Sequence, residues 1–179
     1  MNDYLDTYLI GATGGAGTTT CTVALAVKAN GSAHVLDDDR LDDLYAVAGM
    51  PTPTEPAPVV FGDGPRFIDC GTARPPAGAT QVTIVVRGPS YLALRRALPL
   101  VTEFPSARLL LLVEPGRALN MSDALAVLGD RPTIVLHVDE AVARAVDSGL
   151  LTYRLPRSVG ALSTMAEVAG CSYSPAEVG

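Results

Sequence analysis

Lysine is almost absent from this chain. Lys28 is the only one, and the other basic residues are arginines. Tryptophan is missing and phenylalanine occurs three times, so aliphatic residues, mainly Ala, Val and Leu, must supply the core. The three cysteines, Cys21, Cys70 and Cys171, show no CxxC spacing, which argues against both a disulfide framework and a zinc site. Reduced thiols are expected. Basic charge is also short: the net charge of -6 argues against non-specific duplex binding, which needs clustered Lys and Arg to release counterions. No apolar run approaches the roughly 20 residues of a membrane span. The start, Met1-Asn2-Asp3-Tyr4-Leu5-Asp6, is acidic and polar where a signal peptide is cationic and then apolar. A soluble cytoplasmic protein is expected. At 179 residues it reads as one domain, burying about two-thirds of its unfolded surface.

What is present centres on Leu9-Ile10-Gly11-Ala12-Thr13-Gly14-Gly15-Ala16-Gly17-Thr18-Thr19-Thr20. Two apolar residues enter a glycine-rich turn, and the helix-like segment Cys21 to Ala29 follows. This is the order strand, phosphate loop, helix. Such a loop wraps backbone N–H groups around an anion and aims the positive end of a helix dipole at it. A nucleotide-hydrolysing loop places a lysine just after Gly17, where this chain has Thr18.

The first strand is predicted over Tyr8 to Ala12, and the first helix over Gly17 to Asn30, with Gly31 as its C-terminal glycine. Ala33 to Leu36 reads as the second strand and leads into Asp37-Asp38-Asp39. Arg40 to Ala48 reads as an amphipathic helix closed by Gly49, with Leu41, Leu44, Tyr45 and Ala48 on one face. The proline-rich segment 51–58 suits neither helix nor central strand and is expected to be an extended surface segment, either an ordered crossover or a mobile loop. Val59 to Phe61 and Arg66 to Ile68 form a strand pair or a single strand ending at Asp69.

Strands are then predicted over Val82 to Val86, Arg108 to Val113 and Thr133 to Val138. Helices are predicted over Pro89 to Val101, Ser122 to Leu128, Glu140 to Ser148 (closed by Gly149) and Ser158 to Ala169. Alternating strands and helices joined by short loops imply an α/β domain with a mostly parallel sheet covered on both faces. Ligands of such sheets sit beyond the carboxyl ends of the strands. The glycine loop, Asp37 to Asp39, Asp69 and Glu114 all follow predicted strands, so several carboxylates are expected to gather at one edge of the sheet.

These segments together resemble the ParA and MinD family of partitioning and positioning ATPases, whose deviant Walker A loop reads Gly-Lys-Gly-Gly-x-Gly-Lys-Thr-Thr. Val35-Leu36-Asp37-Asp38-Asp39 is similar to the family's second-strand Asp-x-Asp motif, and Phe67-Ile68-Asp69-Cys70-Gly71 to its Walker B strand. The segment from Thr133 to Gly149 is similar to its last strand and helix. The resemblance implies a P-loop NTPase-like fold. It also implies a nucleotide site lined by Gly14, Gly15, Ala16, Gly17, Thr18, Thr19, Thr20, Asp37, Asp39 and Asp69. If a magnesium nucleotide binds, the resemblance implies that Thr19, Asp39 and Asp69 hold the metal.

The departures from the family pattern fall at positions that do chemistry. Thr13 stands in place of the lysine that reaches across the dimer, and Thr18 in place of the lysine on the β- and γ-phosphates. Lys28 lies some three helical turns, about 15 Å, further on and cannot substitute. Glu114 stands where the family has an adenine-reading Asn, and His137 replaces the proline beside the base. The segment between the second strand and Asp69 is also shorter than the family's.

The expected function is therefore a pseudo-ATPase that works by binding protein partners as a homodimer. It would hold no nucleotide, or ATP and ADP with magnesium weakly. An alternative is an active nucleotide-dependent switch using an unusual cation, with Arg74 as candidate.

A second reading takes Gly11-Ala12-Thr13-Gly14-Gly15-Ala16-Gly17 as the dinucleotide loop of short-chain dehydrogenases, with Asp37 on the ribose of NAD. The Tyr-x-x-x-Lys pair of those enzymes is absent, so NAD(P) ranks below ATP. Bland readings stand beside each motif. The glycine loop can be an inherited turn that binds nothing, and Asp37 to Asp39 a solvated helix-capping cluster with no lysine or obvious cation to balance it. His34 and His137 read as partly buried histidines, and Arg95 and Arg96 as a solvated helix face. The tail from Cys171 to Gly179 lacks the basic, amphipathic pattern of a membrane-binding helix, so no direct membrane binding is expected.

Overall fold

The computed structural model describes residues 5–88 and 90–170. The first four residues, Pro89 and the tail from 171 onward lie outside it, so the readings of the N-terminal leader, of Cys171 and of the C-terminal membrane segment fall on residues that are not described. Strand β1 (Thr7–Gly11) runs into the glycine loop and α1 (Thr18–Lys28). Strand β2 (Ser32–Val35), a 3-10 turn at Asp38–Arg40 and α2 (Leu41–Ala48) follow. Then come β3 (Val59–Val60), β4 (Arg66–Asp69), β5 (Gln81–Arg87) and α3 (Tyr91–Glu103). The chain closes with β6 (Arg108–Val113), α4 (Met121–Leu128), β7 (Thr133–His137), α5 (Glu140–Asp147) and α6 (Leu162–Gly170).

The strands form one seven-stranded sheet in the order β3-β2-β4-β1-β5-β6-β7. All pairs are parallel except β2 with β3 at the edge. Strand side chains alternate between faces. Leu9, Phe67, Leu110 and Leu112 therefore join a core under α1, α2 and α6, while Ile10, Ile68, Leu109 and Leu111 join a second core under α3 and α4. Burial of each such side chain is worth about 1.5–3 kcal/mol, which explains the near-continuous apolar runs in β5 and β6.

Some boundaries differ from the sequence reading. Helix α1 ends in a Schellman turn in which Asn30, at φ 50°, takes the left-handed position expected of Gly31. The Gly31 N–H donates to the Ala26 carbonyl at 2.8 Å, and the Asn30 N–H to Val27 at 3.3 Å. Gly31 is needed for a different reason: a Cβ there would lie 2.1 Å from the Pro65 carbonyl oxygen. Leu36 lies beyond β2 and is exposed. The last helix begins as a 3-10 turn, Arg157–Ala161, before α6. The proline-rich segment is tied down where the Tyr45 hydroxyl donates to the Ala57 carbonyl at 3.3 Å. No helix among the described residues is long and apolar enough to cross a membrane.

Candidate functional site

The glycine loop sits at the carboxyl edge of the sheet, between the ends of β4 and β5, because β1 pairs with both. Backbone bonds pin its start: the Gly11 N–H donates to the Gly71 carbonyl at 2.6 Å and the Ala12 N–H to Val85 at 2.9 Å. Gly14 and Gly15 are exposed at the tip, and Ala16 tucks back into the core. Gly17, at φ 87°, caps α1 without a side-chain hydrogen bond, and the first turn contains no acidic residue. The first turn of α1 therefore contributes no acidic side chain of its own against the helix dipole. Thr18 and Thr19 are buried, and Thr20 lines an apolar cavity of about 220 Å³ with Cys21, Leu112, Leu136 and Val142. Lys28 is the last residue of α1, at the end remote from the loop.

Thr19 and Asp69 meet at the start of α1. Asp69 ends β4 with no solvent exposure, and the Thr19 hydroxyl donates to its Oδ2 at 2.5 Å. The group that completes the cluster is Arg40, which sequence reasoning passed over. Its Nη1 donates to Asp69 Oδ1 at 3.0 Å and its Nη2 to the Thr19 hydroxyl at 2.9 Å. The Gly71 N–H also donates to Asp69 Oδ1, at 2.8 Å.

The route of Arg40 into the site follows from strand order. β2 pairs with β4, so Val35 lies opposite Asp69, and the Leu36 N–H donates to the Asp69 carbonyl at 2.9 Å. The 3-10 turn then brings the chain back, its first residues capped by Asp37, whose carboxylate accepts from the Asp39 N–H at 3.3 Å. Asp37 to Asp39 are exposed, and the Asp39 carboxylate makes no hydrogen bond or ion pair among the described residues. Asp37 thus serves as a cap, and the cation thought to be missing beside the acidic cluster is Arg40, paired with Asp69 instead.

On the other side of the loop, Arg87 at the end of β5 donates from Nη1 to the Gly15 carbonyl at 3.3 Å and from Nε to Glu114 at 2.7 Å. Arg117 donates to the second Glu114 oxygen, from Nε at 2.9 Å. Hydrogen bonds from Arg117 and then Arg87 hold the Glu114 carboxyl below its usual range. Arg74, the cation singled out from sequence, is instead paired with Glu103 at 2.7 Å. Asp37 to Asp39, Asp69 and Glu114 do lie at the carboxyl ends of parallel strands, but among the described residues no group of three or more His, Cys, Asp or Glu is placed to hold a metal ion. His34 is half-buried, with burial lowering its pKa, whereas His137 is exposed, unlike the partly buried histidine expected. Cys21 and Cys70 are buried thiols pushed up to about 12 by burial.

Neither a protein-family model nor a curated protein sequence matches the chain. Among solved structures, a ParA family ATPase from Chlorobium tepidum TLS superposes with a TM-score of 0.63 at 17% identity, over 93% of this chain and 99% of that one. The fold is ParA-like. Its strand order separates β1 from β2 by β4. Dinucleotide folds place the first two strands side by side. Asp37 therefore lies a strand further from the glycine loop than a ribose-binding acid would. Arg40 and Arg87 are the residues that sequence missed here; their only signal was position, each lying at or just beyond a strand's carboxyl end.

Proposed function

We propose that this chain is a ParA/MinD-like pseudo-ATPase, a homodimeric scaffold or regulator in a partition, positioning or secretion-type system that acts through protein partners. One observation carries the reading. The loop has threonines at both lysine positions, and the two cations that hydrogen-bond to the loop or to the first turn of α1 are each paired with a carboxylate, Arg40 with Asp69 and Arg87 with Glu114. A charge-assisted contact to a transferring phosphoryl group supplies several kcal/mol of transition-state stabilisation, and neither position has a lysine to make it. Thr13 and Gly14 also share a groove with Arg95, Arg96 and the exposed Leu92 of α3, beside the exposed Tyr91. A mixed apolar and basic surface of this kind suits a protein partner.

Isothermal titration with magnesium and ATP tests the reading: no saturable binding is expected below about 1 mM. Micromolar affinity accompanied by phosphate release overturns it. The rival reading, a nucleotide-dependent switch with an unusual cation, draws its support from Arg87 beside Gly15 rather than from Arg74. On that reading Arg87→Ala lowers a measurable ATP affinity at least tenfold; on ours there is no such affinity to lower.

A further inference from the structure

We infer that Arg40 is a tethered cation standing where a divalent metal would sit, so that this site excludes magnesium and manganese. The inference deepens the pseudo-ATPase reading and rests on its assignment of Thr19 and Asp69 as counterparts of metal-holding residues. Magnesium demands a near-octahedral set of oxygens at about 2.0–2.1 Å. Here the oxygens it would use are already engaged. Asp69 Oδ1 accepts from Arg40 and from the Gly71 N–H, Asp69 Oδ2 accepts from Thr19, and the Thr19 oxygen accepts from Arg40. Asp69 has no exposed surface through which a hydrated ion could reach it without displacing the guanidinium. Asp39, the remaining ligand that the resemblance implies, is exposed and takes no part.

Two further features fit a built-in cation. A guanidinium stays charged at every pH a protein tolerates, so it is never released by deprotonation as a lysine or histidine would be. Gly71, at φ 57°, also leaves the space the guanidinium fills: a Cβ there would lie only 1.9 Å from Arg40 Nη1. The pair carries no net charge, and Arg40 is held by the 3-10 turn that follows β2. A divalent ion entering beside it would face a fixed positive charge.

Manganese binding by the full chain, followed by electron paramagnetic resonance without nucleotide, tests this. The wild-type chain is expected to leave added Mn²⁺ free up to roughly 1 mM, with a titration identical to that of Asp69→Asn. Arg40→Ala is expected to bind Mn²⁺ at least tenfold more tightly than wild type, and Arg40→Ala/Asp69→Asn to lose that gain. Arg40→Gln, which keeps hydrogen-bond donors but no charge, serves if Arg40→Ala does not fold. Asp69-dependent Mn²⁺ binding by the wild-type chain overturns the inference, as do folded Arg40 variants that bind no better than wild type. Because no nucleotide is present, these outcomes are separate from whether the chain turns over ATP.

Discussion

Arg40 donates to Asp69 across 3.0 Å, and the pair is lopsided: the Asp69 side chain has no exposed surface, whereas that of Arg40 keeps 27%. Removing the arginine strands a buried carboxylate, but removing the carboxylate leaves a guanidinium that can reach water. Arg40→Met is therefore predicted to cost about 2–4 kcal/mol of stability, and Asp69→Asn about half as much. The double variant should be no less stable than Arg40→Met alone. Urea unfolding of the three variants checks the order.

The ends of α2 and α5 meet glycine to glycine. Gly49 has φ 69°, and a Cβ on it would lie 1.9 Å from the Gly149 carbonyl oxygen. Gly49→Ala should therefore cost about 3–5 kcal/mol, because backbone strain and backbone collision add. Gly78→Ala is the control. Its φ is 91° but nothing lies within 4 Å of the added Cβ, so strain alone applies, about 1–2 kcal/mol. Thermal melts separate the two.

Thr83 lies in the middle of β5 with no exposure, and its hydroxyl has no partner among the described residues. Thr83→Val keeps the branched shape that a strand favours and removes an unpaired polar atom. A gain of about 1 kcal/mol is expected. A loss in chemical denaturation would show that the hydroxyl is satisfied after all.

Glu114 sets a pH dependence. Its carboxyl is held below the ordinary glutamate value of 4.5 by Arg117 and Arg87, so the unfolded chain takes up this proton first as pH falls. The stabilisation is complete above pH 4.5 and is lost as pH drops from there through the lowered folded value. Stability measured against pH should therefore differ between wild type and Glu114→Gln above pH 4.5, and the two curves should converge in stronger acid.

The alternation of apolar strands and helices made the parallel sheet legible from sequence, and the glycine run made the loop legible, since both are local patterns. Thr19 and Asp69 could be paired only through the ParA resemblance, because they lie 50 residues apart in the chain. Arg40 was not legible. In sequence it follows three aspartates and reads only as the first residue of an amphipathic helix. Its true partner is set by the pairing of β2 with β4, a contact between segments some 30 residues apart that no periodicity reveals. The same holds for Gly31, whose necessity comes from Pro65 rather than from its own helix.

We propose that this ParA-like fold does not run nucleotide hydrolysis. Phosphate release from ATP with magnesium, measured for wild type and Asp69→Asn side by side, tests it most directly. The same background rate is expected for both proteins. Release that rises with wild-type concentration and vanishes in Asp69→Asn would contradict it.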